Sequence, residues 1–330
     1  MKILILGVSG NSGQYVAKYF LSKGAMVWGV GRRLKLDSIP GVKYVCGDIQ
    51  EKSLFEKLPS DFDLVINFAG VQPSILTTSE NTSYYETLQS YVDVNILGAF
   101  NVVEWVSKNN IGTYIYATTH RDYELYWPER RVLHNNEPVA INYQGDHSMY
   151  AISKVVGQMM GDYIVGSSTT RCFNLRLPMM FLVPESPTYL SNGVPTVMPF
   201  LQIIKDAIQG KTLEIWGDPM LPRDYVYIDN LVALIQSCYQ SSIGGGTFSV
   251  GTGEAVTTER FIKTIGSIFG SEIDLEYKYR PEKITYKSAV YSIDEQVDLL
   301  GYSPVLLDEM LLRMKSKIDD EKYFEKWGWV

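Results

Sequence analysis

Tyr150 and Lys154 stand four residues apart in MYAISK, the i, i+4 spacing that puts two side chains on one face of a helix. A tyrosine hydroxyl with an ordinary pKa near ~10 is a poor base at neutral pH, but an adjacent cation stabilises its phenolate. The pair therefore offers a proton-transfer couple. Upstream, Thr118 and Thr119 follow the run Thr113 to Ala117, so two hydroxyls sit where a strand would end. A second group suits different chemistry: Gly7, Gly10 and Gly13 form GxxGxxG, with Asn11 and Ser12 inside the loop. Without Cβ atoms this backbone can approach a pyrophosphate closely, and free amides at the positive end of a helix meet the ligand's charge.

These residues need a scaffold, and the chain supplies an alternating one. Lys2 to Leu6 is a short Ile- and Leu-rich run of the kind covered on both faces of a parallel sheet. From Gln14 onward, Val16, Ala17, Phe20 and Leu21 recur at helical spacing, and Gly24 supplies a C-cap before the run Met26 to Val30. The rhythm continues with a strand over Lys43 to Cys46, a helix near Ser53 to Leu58 and a strand over Leu64 to Phe68. A long helix near Tyr91 to Lys108 and the strand Thr113 to Ala117 complete it. This alternation specifies an α/β protein with a doubly wound, Rossmann-like parallel sheet.

After about Leu177 the pattern breaks at PESPTYLSNGVPTVMP, which reads as a long functional loop. Further helices are expected over Leu201 to Ile208, Leu231 to Tyr239, Thr258 to Phe269 and Leu306 to Ile318. Residues 1–176 are assigned to a dinucleotide-binding domain to which 220–250 return, and 177–219 with 251–330 to a smaller C-terminal α/β substrate lobe.

Composition narrows the function classes. Thirty Lys and Arg against 37 Asp and Glu leave a net charge of −7, so no basic face is advertised for nucleic acid or an anionic membrane. Any phosphorylated ligand must be held by a local site. The opening MKILILGVSG is too short for a signal peptide's apolar centre, and no later run approaches the ~18 apolar residues of a membrane span. Cys46, Cys172 and Cys238 form neither a disulfide framework nor a metal pattern, which fits a reducing cytoplasm.

The spacing GxxGxxG, rather than GxGxxG, resembles the short-chain dehydrogenase/reductase family. The segment PRDYVYIDNLVALI at 222–235 is similar to the RDYxYVDD segment of its extended members, the nucleotide-sugar epimerases and dehydratases. KTLEIWGD before it and TFSVGTGEAVTTERF after it also resemble that group. The resemblance implies a cofactor site built from the glycine loop, Asp48 and Ile49 at the adenine, and Phe68, Ala69 and Gly70 of NFAG beneath the cofactor. It further implies contacts from Asn95 of VNILGAFNVVE, Thr118, Lys154 and Leu177. Tyr150 then becomes the acid/base, Lys154 also fixes the nicotinamide ribose, and Thr119 holds the reacting hydroxyl or carbonyl. Arg223 is the expected clamp on a sugar-nucleotide diphosphate, supported by Asp224 and Tyr227.

Several positions depart from the family pattern. Where an acidic residue often follows the second strand to meet the ribose of NAD, this chain has Gly31-Arg32-Arg33, and two guanidinium groups suit a 2′-phosphate. NADP is therefore favoured over NAD. His120-Arg121 replace the acidic pair, or acid and lysine, that sugar dehydratases place after the Thr, which disfavours dehydration. His120 is open to two readings, a second acid/base facing substrate or a structural side chain, and His147 shares that ambiguity. Met179 stands where the family commonly has a substrate-facing asparagine and cannot supply its donor. The expectation is an NAD(P)-dependent nucleotide-sugar epimerase working through a keto-sugar as a homodimer. A nucleotide-ketosugar reductase consuming NADPH is the alternative, and a non-catalytic NADP-sensing protein is a third reading.

Overall fold

The computed structural model describes residues 1–34, 39–73, 84–144, 147–191, 194–270, 274–283 and 289–328. Strand β1 (Lys2–Leu6) divides its side chains by the two-residue period of a strand. Ile3 and Ile5 enter one apolar layer, and Leu4 and Leu6 the other. Both faces are thus buried, as the unbroken apolar run required. The same holds for β4 (Leu64–Asn67) and β5 (Thr113–Thr119), every residue of which is buried. With β2 (Met26–Gly31), β3 (Lys43–Cys46), β7 (Arg171–Leu177) and β14 (Gly245–Ser249) they form a seven-stranded parallel sheet in the order β14-β7-β5-β4-β1-β2-β3.

That order places the switch point between β1 and β4, because the chain winds from β1 outward through β2 and β3, then returns to β1's other edge. A crevice at the carboxyl ends of the strands results, which is where ligands of open α/β sheets bind. On one face pack α1 (Asn11–Ser22), through Val16, Ala17 and Phe20, and α7 (Ile228–Gln240), through Leu231, Leu234 and Ile235. The other face is covered by α4 (Ala99–Lys108), through Val102, Val103 and Val106, and by α5 (Ser148–Ser167). Between these come the short α2 (Lys52–Phe55) and α3 (Tyr84–Ser90).

Two expectations are corrected. The long helix near Tyr91 to Lys108 is not regular: α3 runs into a π-helical segment over Tyr91–Gly98 before α4 begins. The wider turn accompanies Asn95, whose side chain leaves the helix to bond elsewhere, a common setting for such segments. The stretch 184–199, expected as a loop, holds the antiparallel pair β9 (Thr188–Ser191) and β10 (Val194–Val197), with Thr188 opposite Val197. Its sequence carried the signal, since Asn-Gly between two strand-like runs is the strongest short hairpin cue. Residues 192–193 themselves lie outside the described residues.

The remaining strands are short pairs. β6 (Val132–Leu133) lies parallel to β17 (Val290–Tyr291), β8 (Met180–Phe181) parallel to β13 (Val226–Tyr227), β11 (Leu213–Trp216) parallel to β16 (Tyr277–Arg280), and β12 (Pro222–Arg223) antiparallel to β15 (Val256–Thr257). Helices α6 (Pro199–Ile208), α8 (Thr258–Phe269), α9 (Asp294–Leu300), α10 (Leu307–Asp320) and α11 (Tyr323–Lys326) complete the chain. No helix among the described residues is long and apolar enough to cross a membrane.

Candidate active site

The glycine loop lies at the switch point, and sterics explain each glycine. Gly7 has φ +79°, and a Cβ there would stand 2.7 Å from the Ala69 backbone nitrogen, so the β1 and β4 turns touch through it. A Cβ on Gly13 would fall on the Gly7 carbonyl oxygen and 2.8 Å from Val8 Cα. Helix α1 can therefore start directly behind the loop. Gly10 is its N-cap, its N–H donating to the Gly7 carbonyl at 3.1 Å, and no side chain caps the helix. Asn11, exposed, and Ser12, half-buried, open the first turn. This is a cradle of backbone amides at a helix N-terminus, and it fits a dinucleotide pyrophosphate.

The flanking residues follow the strand ends. Arg32 and Arg33, just past β2, are exposed, and their carbonyls are engaged by the Cys46 thiol and by the Tyr44 hydroxyl at 2.7 Å. Asp48 accepts a bond from the Gln50 amide at 3.1 Å, while Ile49 is buried against Gly98 and its carbonyl is held by Asn101. After β4, the Asn67 side chain accepts from the Ala69 amide at 3.0 Å and so fixes the Phe68-Ala69-Gly70 turn.

Asn95 ties this turn to the helix that carries the proposed acid/base. It accepts from the Val71 amide at 2.8 Å, donates to the Val71 carbonyl at 3.1 Å and donates to Ser153 Oγ at 3.0 Å. Ser153 lies between Tyr150 and Lys154 on α5 and bonds back to the Tyr150 carbonyl. A Cβ on Gly70 would lie 3.1 Å from Asn95 Oδ1 and 3.7 Å from Lys154 Nζ. Gly70, Asn95 and Lys154 thus converge. Tyr150, half-buried, has its ring 6.3 Å from that of Tyr91.

Lys154 is 5% exposed and forms no ion pair among the described residues, and burial pushes its pKa from 10.5 down to about 7. The Tyr116 ring centroid lies 4.3 Å from its Nζ. Thr118 and Thr119 are the buried last residues of β5, with Leu177 opposite Thr119 on β7. The Thr118 hydroxyl finds no bonding partner among the described residues, while Thr119 accepts the Arg121 amide at 3.3 Å. A buried cation and an unsatisfied hydroxyl beside the glycine cradle are groups that a nicotinamide ribose and a sugar could bond.

Other predicted residues are placed differently. His120 opens a 3-10 segment (His120–Glu129) and is buried, its Nδ1 3.0 Å from the Tyr291 hydroxyl and its ring 5.0 Å from that of Trp127. Burial, with the charges of Arg121 and His147, pushes its pKa down to about 3, so the ring is neutral at pH 7. Of the two readings of His120, this placement favours the structural one. Arg121 pairs with Glu124 at 2.8 Å. Met179 is exposed at the turn between β7 and β8. Arg223 is buried on β12. Its neighbour Asp224 takes both the amide and the hydroxyl of Thr252, and burial still raises its pKa to about 6 against those bonds.

Sequence reasoning missed Tyr116, Ser153 and the buried Arg176–Asp122 pair at 2.6 Å, whose arginine also bonds the Asn135 carbonyl. No local motif marks any of them, since each partner lies on a different element. Among the described residues no group of His, Cys, Asp and Glu could hold a metal.

The sequence profile of the NAD dependent epimerase/dehydratase family matches residues 3–251. The chain belongs to this family, of the extended short-chain dehydrogenase type. Among curated relatives, Protein CapI of Staphylococcus aureus is 26% identical over 251 residues, covering 71% of this chain and 68% of CapI. Among solved structures, the UDP-glucose 4-epimerase of Thermotoga maritima, determined with UDP-glucose, superposes with a TM-score of 0.75 at 20% identity over 97% of this chain and 99% of that one. The UDP-glucuronic acid 4-epimerase of Bacillus cereus in complex with NAD gives 0.70 at 19% identity, over 97% and 99%. The seven-stranded sheet and its switch-point crevice are thus the family's fold.

Proposed function

We propose that this family member is an NAD(P)-dependent nucleotide-sugar epimerase acting through a keto-sugar intermediate. The observation that carries the reading is the buried Lys154 ammonium, without a carboxylate partner among the described residues, one helical turn from Tyr150 and beside the Gly70–Asn95 turn. Tyr150 takes the proton of a sugar hydroxyl and returns it, and Lys154 lowers the cost of the phenolate. Thr119 Oγ1 bonds the reacting oxygen. Gly7, Gly10, Asn11, Ser12 and Gly13 hold the pyrophosphate, and Asp48, Ile49, Phe68, Ala69, Gly70, Asn95, Thr118, Lys154 and Leu177 line the remaining cofactor site. When bound, the nicotinamide supplies reversible two-electron oxidation of the sugar carbon.

Arg223 clamps the diphosphate, and 177–219 with 251–330 form the sugar lobe over a dinucleotide domain of 1–176 and 220–250. The exposed guanidinium groups of Arg32 and Arg33, which make no ion pair among the described residues, support NADP over NAD. Exposed Leu97 and Phe100, and Met159 and Tyr163 on the neighbouring helix, support a homodimer, and the reduced thiols a cytoplasmic setting.

The test incubates the protein with a panel of nucleotide sugars deuterated at each ring carbon and catalytic cofactor. Sugar inversion with the label retained, and no build-up of reduced nicotinamide, is expected, with NADP bound more tightly than NAD. One equivalent of NADPH consumed per product, without inversion of the unoxidised sugar, refutes the epimerase in favour of the reductase.

A further inference from the structure

We propose that Tyr116 is a positioning residue for Lys154, its ring face seating the buried ammonium and holding its charge. This rests on the catalytic reading of Lys154 and extends it to a residue that touches neither substrate nor cofactor in that reading. Tyr116 lies on β5, three residues before Thr119, with its side chain fully buried under α5. Its ring centroid is 4.3 Å from Lys154 Nζ, well inside the ~6 Å reach of a cation–π contact.

The approach is built in. Gly157, one turn beyond Lys154, has no Cβ, and one added there would overlap the Tyr116 hydroxyl and lie 2.5 Å from its ring Cζ. The missing atom lets α5 settle onto the strand. Gly70, again without a side chain, also stands close, a Cβ there lying 3.7 Å from Lys154 Nζ. The tyrosine hydroxyl is buried with no bonding partner among the described residues, so the ring face is the part of the side chain that meets Lys154.

Titratable groups on the elements around Lys154 include Tyr150 and Tyr163 on its own helix, Tyr91 on the π-helical segment, and Tyr114 on β5 and Cys172 on β7, whose hydroxyl and thiol burial pushes up. Charged groups on these elements and on α4 are engaged elsewhere: Asp93 with Gln89, Asp162 with Asn174, Arg176 with Asp122, Arg171 with the Ser241 and Tyr239 carbonyls, and Glu104 with Lys52 and Lys108. Burial alone drives the lysine towards its neutral form near pH 7. The desolvated ring face opposes this, and cation–π contacts are strongest where water is excluded.

The experiment is a side-chain NMR titration of the lysine Cε and Nζ resonances in the full-length, cofactor-free protein, with Lys154 assigned from Lys154→Met. Tyr116→Phe should leave the Lys154 pKa within a few tenths of a unit, because the ring face remains. Tyr116→Leu should lower it by about one unit. If the leucine variant fails to fold, pentafluorophenylalanine at position 116 keeps the volume, reverses the ring's electrostatic face and should lower the pKa relative to Tyr116→Phe. In activity assays the alkaline limb of kcat/KM should move to lower pH with Tyr116→Leu and stay in place with Tyr116→Phe. A Lys154 pKa insensitive to both leucine and the fluorinated ring overturns the proposal, as does a fall with phenylalanine equal to that with leucine. Because the titration uses no sugar and no cofactor, it stands apart from the catalytic reading. Turnover surviving Tyr150→Phe would sink that reading and leave the Lys154–Tyr116 contact standing.

Discussion

Removing the charge of Lys154 should make the cofactor-free protein more stable while destroying its activity. The folded pKa of about 7 lies three and a half units below the ordinary 10.5, with burial as the cause. Because the unfolded chain binds this proton more tightly, the parent protein loses stability to it fully below pH 7, and the loss fades as pH rises towards 10.5. At about 1.4 kcal/mol per unit, the cost is on the order of 4 kcal/mol at pH 7, where half of the lysine is already neutral. Lys154→Met, of similar length and flexible, should therefore raise the unfolding free energy at pH 7 by about 2–4 kcal/mol. Urea unfolding of parent and variant at intervals from pH 6 to 10 measures the gap, which should shrink as the solution becomes alkaline. A variant less stable than the parent at pH 7, or a gap that does not change with pH, would refute the assignment of Lys154 as a buried, carboxylate-free cation.

Other outcomes follow from the same geometry. Tyr150→Phe should abolish turnover and leave cofactor affinity within a few-fold, since the ring still packs and only the hydroxyl is gone; cofactor titration beside the activity assay checks both. Arg223→Ala should raise the Michaelis constant for the nucleotide sugar far more than it weakens cofactor binding, and equal losses would point to damage in the buried β12–β15 region instead. Gly13→Ala should lower cofactor affinity and thermal stability together, because its methyl would meet the Gly7 and Val8 backbone, which cannot yield as a flexible side chain could; calorimetry with and without cofactor reads both.

Much of the scaffold was legible in order along the chain. The apolar run Lys2 to Leu6 specified a doubly covered strand, GxxGxxG a close-packed turn into a helix, and Tyr150 and Lys154 a shared helical face, because each is a relation among residues a few positions apart. The hairpin at 188–197 was equally local, and its Asn-Gly signal was outweighed by the Pro and Ser around it. The π-helical turn at Asn95 was not legible, since it accompanies bonds to Val71 and Ser153 that exist only once the sheet has brought those segments together. His120 shows the same division. Its sequence left acid/base and structural roles open, and only its burial beside Tyr291, 171 residues away, holds the ring neutral and favours the structural reading. The charge of Lys154 is decided in the same way. Composition makes any lysine a cation, and it takes the close approach of α5 to β5 over Gly157 to remove the water that would keep it one and to set the Tyr116 ring face against it instead.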